Sequence, residues 1–217
     1  MDNNRNLQIQ LPIMGISKLR VNTDGPGIRT LVLSTGCPLH CRYCINNQCH
    51  EYRDEQVKKV TVDELYSQIK SHRMYFWASG GGVNFGGGEP LLYEEFIVSF
   101  ARKYGNEMNV GIETSLNVPI TKMQELMERI QLFIVDVKEM NPEIYQKYTG
   151  VNNNYLMQNL EILRTVESKV IIRIPQIPGY NSVYDQEESI RKIRDMGFRN
   201  INLFPYITDI HELRRKS

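Results

Sequence analysis

The chain has no apolar run of the length that crosses a bilayer. Its opening residues, 1–6, have neither the apolar core nor the small-residue cleavage site of a signal peptide. These absences point to a cytoplasmic protein with no membrane contact. An excess of charge is also lacking: 26 basic and 25 acidic residues leave a net +1, which speaks against a nucleic-acid surface. The clearest basic run, Arg214-Arg215-Lys216, reads as a solvated terminus. There are only four cysteines in 217 residues, all between positions 37 and 49, too crowded for a framework of long-range disulfides. No internal repeat or low-complexity linker divides the chain. Residues 1–217 therefore read as one domain, expected to be monomeric, with 1–12 as a flexible N-terminal segment and enough length for a substantial core.

Against this background the cysteines stand out. Cys37, Cys41 and Cys44 sit in Gly36-Cys37-Pro38-Leu39-His40-Cys41-Arg42-Tyr43-Cys44, directly after an apolar run. Four cysteines would close a tetrahedral structural site, whereas three thiolates on a four-iron cube leave one iron open to a ligand that is not protein. A zinc knuckle is the competing reading, with Cys49, His40 or His50 as the fourth ligand. Reduced thiols of this kind suit an anaerobic or low-oxygen setting.

The rest of the chain alternates strand and helix signals. Strands are expected near residues 29–34, 83–85, 109–113, 132–136, 170–174 and 200–204. Thr61-Val62-Asp63-Glu64 is a capping box opening a helix toward His72. Helices over 93–104 and 186–196 end at Gly105 and Gly197, where a left-handed cap is expected. Asn141-Pro142 pairs an N-cap with proline at the first helical position. Six β/α repeats imply a parallel sheet covered by helices, an α/β fold. Polar residues follow several strands on the carboxyl side, where barrel enzymes assemble their sites: Gly86-Gly87-Gly88-Glu89-Pro90, Glu113-Thr114-Ser115 and Asp136-Val137-Lys138. Taken singly each is compatible with an ordinary loop; together they open toward the same face as the cysteines.

The cysteine loop after its strand resembles that of the radical S-adenosylmethionine (SAM) superfamily. Asp24-Gly25-Pro26-Gly27-Ile28-Arg29, the cysteine loop, Ala78-Ser79-Gly80-Gly81-Gly82-Val83 with Gly87-Gly88-Glu89-Pro90, and Asp136-Val137-Lys138 keep the order found in its glycyl-radical-enzyme activase group, over residues 13–206. The resemblance implies an open, partial (β/α)6 barrel rather than a doubly wound flat sheet. It also implies one four-iron, four-sulfur (4Fe-4S) cluster and reductive cleavage of S-adenosylmethionine to a 5′-deoxyadenosyl radical. That radical would take a hydrogen atom from a glycine of a partner glycyl radical enzyme, with flavodoxin or ferredoxin as the reductant.

By matching positions, Cys37, Cys41 and Cys44 would hold three irons. Tyr43 would contact the adenine, and Gly87, Gly88 and Glu89 would receive the methionyl amino group. Asp136, Lys138 and Arg173 would make polar contacts to the cosubstrate, although a strand-end surface ion pair is the alternative for Arg173. Glu113 and Thr114 stand where the family has an Asp-Thr pair that helps bind a monovalent cation; the longer glutamate departs from that pattern. Ile45-Asn46 replaces a common His-Asn. Cys49 is expected to be a free thiol, because the short segment before Val60 has no cysteine-rich insert. The family histidine after Pro205-Tyr206 is missing unless His211 fills its place, and the chain stops before the last helix of the family. Two other readings stay open: an activase of anaerobic ribonucleotide reductase or a radical enzyme acting on another peptide or small molecule, and a non-enzymatic zinc-binding adaptor.

Overall fold

The computed structural model describes residues 9–51 and 57–205. The chain opens with β1 (Gln10–Val21), β2 (Ile28–Ser34) and β3 (Lys58–Thr61), followed by α1 (Val62–Ile69) and α2 (Arg73–Ser79). Strand and helix then alternate through β4 (Gly82–Gly87), α3 (Glu94–Tyr104), β5 (Asn109–Thr114), α4 (Met123–Arg129) and β6 (Leu132–Asp136). The described chain continues with α5 (Pro142–Thr149), α6 (Asn154–Leu163), β7 (Val170–Gln176), α7 (Val183–Asp195) and β8 (Ile201–Pro205).

All eight strands form one open sheet in the order β3-β1-β2-β4-β5-β6-β7-β8. The six strands from β2 to β8 run parallel, whereas β1 is antiparallel to both of its neighbours. Successive side chains on a strand point to opposite faces, and that period divides the sheet into two environments. Val32, Phe85, Ile112, Val135 and Ile174 join the apolar core beneath α3, α4 and α6. There Phe85 meets Phe96 and Phe100 edge-on at 6.2 and 5.4 Å. Residues one position away, such as Leu31, Leu33, Glu113, Asp136 and Arg173, line the concave side. Among the described residues no helix is long and apolar enough to cross a membrane.

The expected parallel (β/α)6 core is present and its sheet is not closed, but two strands precede or interrupt it. β1 begins at Gln10 and its Leu11 is wholly buried, so residues 10–12, read as part of a flexible N-terminal segment, belong to the sheet. β1 was hidden by its irregularity: pairing with β2 shifts register twice, and Leu19 and Asn22 have φ of 51° and 58°. The Thr61 capping box forms, with Thr61 Oγ1 accepting from Glu64 N and Glu64 accepting from Thr61 N. Asn141 caps α5 as expected. Gly197 is left-handed with φ of 101°, but Gly105 has φ of −64° and continues right-handed, so the left-handed cap expected there does not form. α7 starts at Val183, three residues before the expected position, because Ser182 and Asp185 make a second capping box.

Candidate active site

Backbone hydrogen bonds sew the loops at the carboxyl ends of the strands to one another. Gly88 N donates to Ser34 O at 2.9 Å and Glu89 N to Gly36 O at 2.7 Å. A Cβ at Gly88 would lie 2.1 Å from Gly36 O, so only glycine allows this approach. On the far side of the cysteine loop, the N–H groups of His40 and Arg42 donate to Thr149 O and Tyr148 O at the end of α5 (2.8 and 3.3 Å). Asn46 Nδ2 donates to Gly87 O at 2.9 Å.

These constraints bring Cys37, Cys41 and Cys44 to the wall of one cavity of about 470 Å³, within the size range of ligand sites, roughly 300–1,000 Å³. Gly87, Gly88, Glu89, Glu113, Thr114, Asp136, Lys138 and Arg173 line the same cavity. Thus every residue assigned to the site from the sequence reaches it except Tyr43. That ring packs outside, edge-on to Tyr180 at 6.0 Å and tilted against Tyr148 at 6.4 Å. Cys49 is 3 % exposed and does not line the cavity. Tyr206 and His211 lie outside the described residues.

Glu89 is buried and accepts four hydrogen bonds. Leu91 N (3.1 Å) and Thr114 Oγ1 (2.6 Å) donate to Oε1, and Ser115 N (2.9 Å) and Ser115 Oγ (2.6 Å) donate to Oε2. Burial pushes its carboxyl upward against those four bonds. The side chain therefore ties the glycine loop to the end of β5, and the backbone of 87–88 is left to face the cavity. Leu116 turns the chain away there with φ of 59°, its N–H held by Thr114 Oγ1 at 2.8 Å.

Beside this clamp runs an ionic chain across β5, β6 and β7. Arg173 Nη2 donates to Glu113 Oε2 at 3.2 Å, and Arg173 Nε donates to Asp136 Oδ1 at 2.5 Å. Lys138 Nζ donates to Asp136 Oδ2 at 3.1 Å, and Asn84 Nδ2 to Glu113 Oε1 at 3.0 Å. Burial pushes Asp136 up, but Lys138 and Arg173 outweigh it and hold the carboxyl below its usual range. Burial dominates at Glu113 and raises it despite Arg173. Burial works against the charge of Arg173, yet Asp136 and Glu113 more than compensate and raise it. These partly buried, hydrogen-bonded pairs are not an ordinary surface bridge at the strand end.

The sequence reading missed the side of the cavity formed by β1 and the turn after it. Arg20 and Asp24 line it and form a two-pronged ion pair through Nε–Oδ2 and Nη2–Oδ1, the latter at 3.0 Å. Asp24 was visible in its motif, but nothing marked Arg20, which a register shift between Ser17 and Arg20 delivers to the cavity. Beneath them, buried Arg29 donates through Nε to Asn84 Oδ1 at 2.5 Å. Burial lowers its guanidinium to about 10. Gly111 leaves the room this requires, since a Cβ there would meet Asn84 Oδ1 at 2.4 Å.

Three thiols on one cavity wall are a donor set that a cluster with one open iron can use. A single zinc ion needs four donors converging on one point at about 2.0–2.3 Å. Among the described residues no three His, Cys, Asp or Glu side chains do so, and His40 and His50 stack on each other at 4.7 Å. Cluster irons each take their own thiolate, which three cysteines lining one cavity can supply. Burial pushes Cys37 up to about 12 and Cys41 up to about 11, so both are thiols until a metal displaces the proton.

The Radical SAM superfamily matches residues 31–185 of the chain. The pyruvate formate-lyase 1-activating enzyme of Escherichia coli K12 is 35% identical over 203 residues, spanning 88% of this chain and 77% of that protein. The (2S)-3-sulfopropanediol dehydratase activating enzyme of Klebsiella oxytoca is 29% identical, over 78% and 72% of the two chains. Among solved structures, a domain of the pyruvate-formate lyase-activating enzyme from Bacteroides vulgatus aligns with a TM-score of 0.52 and 28% identity, covering 63% of this chain and 90% of that one. The three-cysteine loop at the head of an open parallel barrel thus has its explanation: the chain belongs to the radical SAM superfamily. Within it, the chain is a member of the glycyl-radical-enzyme activase group.

Proposed function

We propose that this protein cleaves S-adenosylmethionine reductively and uses the resulting radical to activate a glycyl radical enzyme. The observation that carries the reading is the single cavity in which the three cysteines meet the glycine loop and the Glu113–Arg173–Asp136–Lys138 chain. A 4Fe-4S cluster, when bound, would supply the electron that splits the sulfonium into methionine and a 5′-deoxyadenosyl radical, which takes a hydrogen atom from a glycine α-carbon of the partner.

The protein's own part is to bind, orient and exclude water. Cys37, Cys41 and Cys44 hold three irons. The peptide edge at Gly87 and Gly88, fixed by the Glu89 clamp, receives the methionyl amino group. Lys138 and Arg173 offer cationic donors to the methionine carboxylate, and Asp136 a hydrogen-bond acceptor to the cosubstrate. Tyr43 reaches the adenine only by leaving its packing against Tyr148 and Tyr180. The partner glycine enters on the side lined by Ser17, Arg20 and Thr23, where Thr23 is exposed. A monovalent cation would have to share Glu113 oxygens that already accept from Asn84 and Arg173 and a Thr114 hydroxyl that donates to Glu89. We therefore assign no step to one.

We place the protein as a monomer in a low-oxygen cytoplasm, reduced by flavodoxin or ferredoxin, with no nucleic-acid partner; the near-neutral net charge of +1 supports the last point. The test is anaerobic reconstitution with iron and sulfide, reduction, and assay of 5′-deoxyadenosine. Wild type should show cluster absorbance and product. Cys41→Ala should stay soluble and show neither; product from that variant would refute the role of the loop.

A further inference from the structure

Asn84 sits on β4, in register between Leu31 of β2 and Gly111 of β5. Its side chain is wholly buried and does not line the cavity, yet its three partners belong to three different elements. Arg29 Nε on β2 donates to Oδ1 at 2.5 Å, and Nδ2 donates to Asp24 O in the turn after β1 at 2.8 Å and to Glu113 Oε1 on β5 at 3.0 Å. The amide has room for all three because Gly111 beside it carries no side chain: a Cβ there would lie 2.4 Å from Oδ1 and 3.1 Å from Arg29 Nη2.

The orientation of this amide is forced. A guanidinium has donors and no acceptor, so the atom facing Arg29 is the oxygen, and the two N–H groups of Nδ2 face Asp24 and Glu113. Arg29 itself is 2 % exposed, bonds to the neutral oxygens of Asn84 and Pro26 (Nη1, 3.3 Å) and leaves Nη2 without a partner. A buried cation is costly where no carboxylate is bonded to it; what this one supplies is a fixed, polarised amide aimed at Glu113. That carboxyl is then held at both oxygens, by Asn84 on Oε1 and by Arg173 Nη2 on Oε2 at 3.2 Å, while Asp136 Oδ1 accepts from Arg173 Nε at 2.5 Å. Arg173 is thus gripped along the Nε–Nη2 edge of its guanidinium, and its Nη1 is the donor pair left for a ligand in the cavity.

We propose that Asn84 is a positioning residue for S-adenosylmethionine: locked by Arg29, its amide holds Glu113 in place, and Glu113 in turn fixes Arg173 so that Nη1 is presented to the methionine carboxylate. The inference rests on the cosubstrate reading of the cavity given above. Asn84 contributes to affinity through two other side chains, and specifically to the part of the affinity that comes from the carboxylate.

The experiment measures equilibrium binding of two probes, S-adenosylmethionine and its decarboxylated analogue, to reconstituted, unreduced wild type and Asn84→Asp. Aspartate has the shape of asparagine and keeps an oxygen for Arg29, but it sets a second oxygen against Glu113 Oε1 and Asp24 O, where the donor stood. Two carboxylates that close cannot both stay ionised, so the hold on Glu113 is lost or altered. S-adenosylmethionine should bind the variant about tenfold more weakly, whereas the analogue, which has no carboxylate for Arg173, should bind both proteins alike. The ratio of the two dissociation constants therefore moves about tenfold. General damage to the site would weaken both probes together, and an unchanged ratio would overturn the inference while leaving the cosubstrate reading standing. Asn84→Ala, which brings in no charge, should move the ratio in the same direction and decides the question if Asn84→Asp does not fold. A chain that folds with neither substitution would also overturn the inference, because the amide would then serve the fold and not the site. A wild type that binds no S-adenosylmethionine would end the cosubstrate reading itself.

Discussion

Replacing Glu89 by glutamine isolates what the buried carboxyl does for the site. Each of its oxygens accepts from one backbone N–H, Oε1 from Leu91 and Oε2 from Ser115. A glutamine amide has one oxygen and one NH2, so whichever way it turns, one of those N–H groups faces another donor. The result does not depend on the protonation state of Glu89, since a protonated carboxyl oxygen still has a lone pair and an amide nitrogen has none. The hydroxyls of Thr114 and Ser115 can rotate to adapt; the backbone cannot. An unsatisfied buried N–H costs about 1–3 kcal/mol and the bond it loses about 1 kcal/mol more, so Glu89→Gln should lower stability by about 3 kcal/mol. For a chain of this length that is a fall in Tm of roughly 6–12 °C, with the urea midpoint reduced at unchanged slope. Because the same bonds hold the 87–88 backbone against the cavity, S-adenosylmethionine binding to the reconstituted protein should weaken about tenfold, equal to about 1.4 kcal/mol. A variant as stable as wild type would refute the clamp.

Other consequences follow from the same geometry. Arg173→Met leaves Asp136 with Lys138 alone and Glu113 with Asn84 alone, and should cost about 3 kcal/mol at neutral pH by urea unfolding. Because the Asp136 pKa is lowered in the folded state, its contribution is present above about pH 4, the ordinary aspartate value. It is lost as pH falls through the folded pKa, so the gap between wild type and Arg173→Met should narrow in acid; a constant gap would refute the pairing. Gly88→Ala forces a Cβ to within 2.1 Å of Gly36 O, so deoxyadenosine production should fall at least about tenfold while circular dichroism keeps the fold; full activity would contradict the close approach. Cys49→Ala should retain one cluster by iron and sulfide analysis, whereas loss of the cluster would make Cys49 a ligand.

The parts of this architecture that were legible in the sequence are those fixed locally. The parallel strands show as apolar runs because both faces are covered, and the Thr61 capping box is complete within four residues. The polar residues that build the cavity were legible because they end those strands, one after another, as Glu113, Asp136 and Lys138 do. What could not be read depends on distant pairing. β1 carries Pro12, Gly15 and the left-handed Leu19, so its alternation is broken, and only its bonds to β2 and β3 make it a strand. Arg20 reaches the cavity through the irregularity that hid the strand. Tyr43 is held outside by Tyr148 and Tyr180, which lie more than a hundred residues later in the chain.

The most direct test of the account is to supply the reconstituted, reduced protein with S-adenosylmethionine and a partner glycyl radical enzyme deuterated at the glycine α-carbon. The account predicts a glycyl radical signal in the partner and one deuterium in the 5′-deoxyadenosine, with Cys41→Ala giving neither. Deoxyadenosine without deuterium, and no radical on the partner, would contradict the assignment of that glycine as the site of hydrogen abstraction.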